Sequence, residues 1–326
     1  LEKLRENHPD LPVIVVSGAG VMDDVVRALR LGAADFLVKP ILDLEVLVHS
    51  LRKALSHQTL QRENKAYREH LEATNRELKL GLDELRADQQ AGRHAQLRML
   101  PEPLNMGDVS CEHKLQPSLM LSGDFLDFME VDDDRLAFYI ADVSGHGASS
   151  AFVTVLLKNL TYRLKRNFQR GSSDDILKPD LVLGRINNEL LASELDKHLT
   201  MFYGVLTLST GVLSYSVGGH FPMPVLISKG EARFFEGRGM PVGLFKEAEY
   251  KSIDVELADD FRLMMFSDGI LEIIDEASLN DKESKLLAMA RESEGKLDTF
   301  WSIAGVAGHE EVPDDIAVAT VFRGVL

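Results

Sequence analysis

Four segments of the 326-residue chain set an acidic residue against a short apolar run. Asp124 stands in "LSGDFLDF", Asp142 in "RLAFYIADVSGHG", Asp268 in "FRLMMFSDG", and Asp314 and Asp315 in "PDDIAVATV". Each is expected at the end or start of a strand, where a side chain projects from a sheet edge into a common cleft. Carboxylates gathered without partners are costly and repel one another. No set of Lys or Arg accompanies them at the same spacing. Hard divalent cations favour oxygen ligands and supply the missing charge. Two such ions about 3.5–4 Å apart activate water and clamp a phosphoryl group. Taken singly, each aspartate also reads as a turn or cap residue. His146, between Gly145 and Gly147, suits proton transfer near neutral pH. His220, in "GGHFPMP", reads as a turn and packing residue.

Several elements must position these groups. "RLAFYIAD" (135–142), "MFYGVLTLS" (201–209), "VLSYSVGG" (212–219), "FRLMMFSDG" (261–269) and "DIAVATVF" (315–322) are strand-like, and "MPVLIS" and "ARFFEG" flank Lys229–Gly230 as a hairpin. Amphipathic helices are expected after Gly147, through Phe152, Val155, Leu156, Leu160 and Leu164, and around 181–195. Residues 101–326 therefore read as an α+β layered sandwich.

The first 57 residues differ. "LPVIVVSG" and "DFLVKP" read as buried parallel strands, alternating with amphipathic helices at 21–33 and 42–55. That is the pattern of a doubly wound α/β domain. Between them, 58–100 is charged. Leu60, Asn64, Tyr67, Leu71, Thr74, Leu78 and Leu85 fall near three- and four-residue steps, the seam of a coiled coil. A solvated single helix is the other reading.

The net charge of −16 argues against a general nucleic-acid binder. Cys111 is the only cysteine, which excludes an internal disulfide and a Cys-based zinc cage and fits a reducing cytoplasm. No apolar stretch approaches the roughly 18–20 residues of a membrane span.

"SGDFLDF", "ADVSGHGASSA", "SVGGHFPMPVL", "GMPVGLF", "FSDGILE" and "PDDIAVATV" resemble, in that order, the PPM-type serine/threonine phosphatases, most closely the SpoIIE/RsbU branch. The resemblance covers about 120–322 and implies an α-β-β-α sandwich holding two Mn²⁺ or Mg²⁺ ions. It implies metal ligation by Asp124, Asp142, the Val143 carbonyl, Asp268, Asp314 and, less directly, Asp315. Asp142 would bridge the ions, Asp142 and Asp268 would serve catalysis, and hydrolysis would proceed in line without a phosphoenzyme. The offset of His146 from Asp142 differs from that of the type-2C histidine, so its role as a general acid does not follow from the resemblance. No phosphate-binding Arg is placed by a motif.

"VIVVSG…ALRLGAADFLVKP" resembles the second half of a response-regulator receiver. Ser17 matches the switch hydroxyl, Phe36 the switch aromatic, and Lys39 the lysine that pairs with a phosphorylated aspartate. A strand-end Lys39 is expected to be buried, and the Lys39–Pro40 bond in such receivers is often cis. No phosphoacceptor falls within these residues, and two strands cannot close a core, so a longer natural chain is expected. The whole then reads as multidomain: a partial doubly wound receiver (1–57), a coiled-coil helix (58–100) and an α+β PPM phosphatase sandwich (101–326). This order resembles the RssB-type response regulators. The resemblance implies a cytoplasmic homodimer that takes signals from a sensor kinase and dephosphorylates a STAS-type anti-sigma-factor antagonist in stress signalling. The alternative is a non-catalytic adaptor binding a sigma factor or its regulator. Retention of every acidic position favours catalysis. Neither nucleic acid nor membrane is expected as a partner.

The seam makes one direct claim. Light scattering is expected to give a dimer mass that falls on introducing Leu71→Glu together with Leu78→Glu. A monomer at high concentration before mutation would remove the seam.

Overall fold

The computed structural model describes residues 1–18, 22–145, 147–306 and 312–324. The chain divides into two compact units, Leu1–Leu85 and Arg86–Leu326.

The first unit runs α1 (Glu2–Asn7), β1 (Ile14–Ser17), α2 (Met22–Arg30), β2 (Asp35–Val38) and the start of α3 (Leu44–Leu97). β1 and β2 pair in parallel, with Ile14 opposite Asp35 and Ser17 opposite Val38. Strand order and direction follow the sequence pattern, but the expected burial does not. Val16 is 39% and Val38 46% exposed, and Val26 and Leu29 of α2 are also exposed. A parallel sheet is normally covered on both faces, and two strands with their helices do not supply that cover. Lys39 is exposed for the same reason, and not buried as its strand-end position suggested. The Lys39–Pro40 peptide is cis.

The helix expected at 42–55 and the charged segment after it form one continuous helix, α3, of 54 residues. No Pro and only scattered Gly interrupt it, and long polar side chains are good helix formers. Leu60, Tyr67, Leu71, Leu78 and Leu85 are all more than half exposed on this single chain.

The second unit is a two-sheet sandwich. Its elements are β3 (Leu104–Met106), β4 (Val109–Gln116), β5 (Asp124–Glu130), β6 (Arg135–Val143), α4 (Ala148–Gln169), α5 (Pro179–Ala192), β7 (Leu199–Thr207), β8 (Val212–Gly218), β9 (Val225–Ser228), β10 (Glu231–Phe234), β11 (Ile253–Glu256), β12 (Phe261–Phe266), α6 (Gly269–Glu272), α7 (Leu279–Glu292), α8 (Leu297–Ile303) and β13 (Ile316–Arg323). One sheet has the order β11-β8-β7-β6-β5 and the other β10-β9-β12-β13-β4-β3. Among the described residues no helix is long and apolar enough to cross a membrane.

The period-2 geometry of a strand decides which side chains meet. In β6, Leu136, Phe138 and Ile140 enter the inter-sheet core with Phe202, Leu263, Met265, Ala317 and Ala319. Ala137, Tyr139 and Ala141 point to the opposite face, against Val153, Leu157 and Leu160 of α4 and Ile186 of α5. On the outer side of the other sheet, Met264, Phe266 and Val318 pack on Leu286 and Phe300 of α7 and α8. The result is the α-β-β-α order. Of the face expected for α4, Leu160 and Leu164 are buried and Leu156 is half-buried, whereas Phe152 is 68% and Val155 44% exposed; Ala151, Val153, Thr154 and Leu157 complete the buried face.

Phe202 sits at the middle of the inter-sheet core, fully buried, with ring centroids 5.2 Å from Tyr215 and 6.5 Å from Phe138. Phe202→Ala is expected to cost about 3–5 kcal/mol by urea unfolding. A loss below about 1 kcal/mol would mean that the two sheets do not close on this ring.

Candidate active site

The inward parity of the strands carries on to their ends. Asp124 shares the parity of Leu126 and Phe128, Asp142 that of Phe138 and Ile140, and Asp315 that of Ala317 and Ala319. All three therefore face the inter-sheet space, where its apolar filling stops. The register sets Asp124 directly opposite Asp142 across β5 and β6, and such partners have Cβ atoms about 4.5–5.5 Å apart. Asp268 follows β12 as the residue preceding α6, and Asp314 and Asp315 immediately precede β13. Four chain segments thus deliver acidic groups to one end of the sandwich.

Their electrostatics confirm that they are neighbours. Asp124 is 2% exposed, and its carboxyl titrates well above the usual range, through burial first and then the charge of Asp142. The Ser267 hydroxyl offsets this in part, and the charges of Asp315 and Asp268 add to it. Oδ2 of Asp124 is buried without a hydrogen-bond partner among the described residues. Asp142 is pushed up to about 7, by burial and then by Asp268, Asp314 and Asp315. Asp268, more exposed, is raised by burial and then by Asp314 and Glu272.

Asp315 also makes several hydrogen bonds. Its Oδ1 accepts from Ser118 N at 2.7 Å and Ser118 Oγ at 2.8 Å, and its Oδ2 accepts from Gly123 N at 2.7 Å. The carboxylate therefore ties the loop before β5 to the start of β13. Ser267 makes a parallel tie, accepting from Ala317 N at 2.8 Å and donating to the Asp315 carbonyl at 3.2 Å. The Val143 carbonyl faces Gly123 so closely that a Cβ there would lie 2.8 Å from it. At Gly269 a Cβ would lie 2.0 Å from the Asp315 carbonyl. Both glycines are required by close approach of backbone to backbone.

Gln96, near the end of α3, was not singled out by sequence reasoning. Its amide is buried, donates to Ser122 O at 2.6 Å and accepts from Ser122 N at 3.0 Å. It also donates to Thr154 Oγ1 at 3.2 Å. One side chain thereby holds the strand entry that carries Asp124 against the first turns of α4. Nothing in a Gln within a charged helix marks it as buried. Ser118, Ser267 and Glu272 were not singled out either.

The remaining expected residues fall as follows. His146 lies outside the described residues. His220 is buried, neither ring nitrogen has a hydrogen-bond partner among the described residues, and burial takes its pKa down to about 4. It is a neutral packing ring, 6.4 Å from Phe202. Ser17, Phe36 and Lys39 belong to the first unit, where Lys39 N donates to Ser17 O at 2.9 Å and Phe36 N to Asp35 Oδ1 at 2.9 Å.

Among the described residues no three His, Cys, Asp or Glu side chains converge as a ready-made ion cage. The donors nevertheless fit a hard divalent ion: they are oxygens, mutually repelling, and one is buried and unpaired. Mg²⁺ in particular is held by one or two carboxylates and keeps several waters, so a three-side-chain cage is not needed.

The family model described as stage II sporulation protein E (SpoIIE) matches residues 132–323, and that of the response-regulator receiver domain matches residues 1–52. The chain is 27% identical over 185 residues to phosphoserine phosphatase RsbP of Bacillus subtilis, covering 55% of this chain and 44% of RsbP. It is 22% identical over 254 residues to Regulator of RpoS of Escherichia coli K12, covering 76% of this chain and 71% of that protein. It thus spans less than half the length of RsbP. Among solved structures, the SiaA-PP2C domain of Pseudomonas aeruginosa superposes with a TM-score of 0.60 at 18% identity, covering 75% of this chain and 99% of that domain. That likeness establishes a shared fold for the two-sheet unit. A receiver segment precedes it, and the SpoIIE match spans more than half of the sequence; the chain belongs to the SpoIIE family.

Proposed function

We propose that the sandwich of residues 101–326 is a metal-dependent protein serine/threonine phosphatase, and that the receiver segment (1–57) and helical linker (58–100) regulate it. The carrying observation is the facing pair Asp124 and Asp142, inward at the end of the sheets, with like charges nearby and a buried unpaired oxygen. Such a cluster is costly by itself and is relieved by cations. Asp124, Asp142, Asp268 and Asp314, with the Val143 carbonyl, would hold two Mn²⁺ or Mg²⁺ ions. Bound there, the ions would supply an activated water and polarise the phosphoryl oxygens. The chain's own part is positional. Asp315 and Ser267 hold the loop and strand ends that present the ligands, and Gly123 and Gly269 keep bulk out of the corner. His220 donates no proton, since its neutral ring is sealed in the core.

The family and the likeness to phosphoserine phosphatase RsbP support a phosphoserine protein, and by chemical analogy a phosphothreonine one, as substrate. We assign it to a STAS-type anti-sigma-factor antagonist in a cytoplasmic stress pathway, with a sensor kinase acting on the receiver and a homodimer formed along α3. A second reading, a non-catalytic adaptor for a sigma factor or its regulator, draws on the long match to Regulator of RpoS.

One substitution tests both the site and its strain. Because the folded Asp142 titrates near 7, above its unfolded value of about 3.9, its ionisation removes stability as pH rises between those values. Asp142→Asn is therefore expected to raise the melting temperature of metal-free protein by a few degrees at pH 8, and to leave it unchanged near pH 4. The same variant should lose the melting-temperature increase caused by Mn²⁺ and at least about 100-fold of Mn²⁺-dependent p-nitrophenyl phosphate hydrolysis. Equal turnover in wild type and variant, or none in wild type with any divalent ion, favours the adaptor.

A further inference from the structure

A phosphomonoester dianion entering this corner meets carboxylates on several sides, so a protein cation beside it has a clear electrostatic purpose. Lys197 sits at the head of β7 and reaches the turn that follows Asp142 and Val143. Its Nζ donates to the Ser144 carbonyl at 2.8 Å and to Ser150 Oγ at 3.4 Å. The turn and the segment carrying Lys197 are pinned together, with Ser144 N donating to His198 O at 2.9 Å and His198 N to Ser144 Oγ at 3.2 Å.

Three features describe the seat of Lys197. First, it is half-buried, yet its acceptors are a carbonyl and a hydroxyl. Lys114, Lys158, Lys178 and Lys296 each reach a carboxylate, whereas among the described residues Lys197 reaches none, and Lys282, on the Leu271 carbonyl, is held in the same way. An ammonium held by neutral acceptors in so acidic a protein retains charge for a further anion. Second, the backbone just before it is strained: Glu194 and Asp196 have φ of 54° and 50°, in the left-handed region that non-glycine residues avoid. Third, Gly145 has φ of +77°, and a Cβ there would stand 2.8 Å from Nζ.

We propose that Lys197 is the phosphate-binding cation of the site, exchanging the Ser144 carbonyl for a non-bridging oxygen of the substrate phosphoryl group. This rests on the phosphatase reading and deepens it. It also supplies the phosphate-binding cation that no arginine motif provided.

Lys197→Met and Lys197→Arg test it in the full chain with Mn²⁺, using a phosphoserine peptide and inorganic phosphate as probes. In Lys197→Met, kcat/KM for the peptide is expected to fall about 10- to 100-fold, the loss for one charge-assisted hydrogen bond, with KM rising. The thermal stabilisation by inorganic phosphate should vanish in this variant and return in Lys197→Arg. Stabilisation by Mn²⁺ alone should be the same in all three proteins. Unchanged KM and phosphate response in Lys197→Met would overturn the proposal. So would loss of the Mn²⁺ response, which would make Lys197 a brace for the turn. If wild type hydrolyses nothing, the phosphatase reading fails. The phosphate-induced shift, compared between wild type and Lys197→Met, then still decides whether an anion site exists.

Discussion

Carboxylates that repel one another can be kept together only by a frame that is stiffer than their repulsion. Here the frame is the pair of sheets, whose inter-sheet core is filled up to Ile140, Met265 and Ala317 and is replaced by acidic groups just beyond. The inward faces are set by strand periodicity, so the same geometry that buries Phe138 and Phe202 also turns Asp142 inward. The cost of that arrangement is visible in the raised titration of Asp124, Asp142 and Asp268. Strain of this kind is expected where binding or catalysis depends on it.

Around the acidic cluster lies a second set of groups whose work is mechanical. Asp315 keeps low-energy contacts with three donors, and Ser267 joins the end of β12 to the start of β13. Gln96 carries the same function from the helical side, with both ends of its amide on Ser122. Adjacent aspartates in one short motif thus differ in how many donors they hold. Asp314 faces the charge of Asp142 and Asp268 and accepts from Asp315 N, whereas Asp315 adds its charge to Asp124 and Asp142 while its carboxylate also ties Ser118 and Gly123.

The two units differ in how far burial supports them. The sandwich has three buried clusters, one between the sheets and one under each helical layer. The Leu1–Leu85 unit leaves Val16, Val26, Leu29 and Val38 exposed, because a two-stranded parallel sheet has little to cover it. α3 belongs to both units in sequence, and its leucines between 60 and 85 remain exposed on the single chain.

Local pattern alone determined much of this protein. Alternating apolar residues marked β6, β7, β8, β12 and β13, the Lys229–Gly230 turn marked the β9–β10 hairpin, and the strand-edge aspartates marked the acidic site. These are readable because periodicity and turn chemistry act over a few residues. Tertiary structure decided the rest. The outward turn of Phe152, the exposure of Lys39, the sealing of His220 and the roles of Ser118, Gln96 and Lys197 depend on partners distant in sequence. Which of two neighbouring aspartates ties Ser118 and Gly123 is likewise a matter of the donors that folding brings to it, and residue type does not encode that.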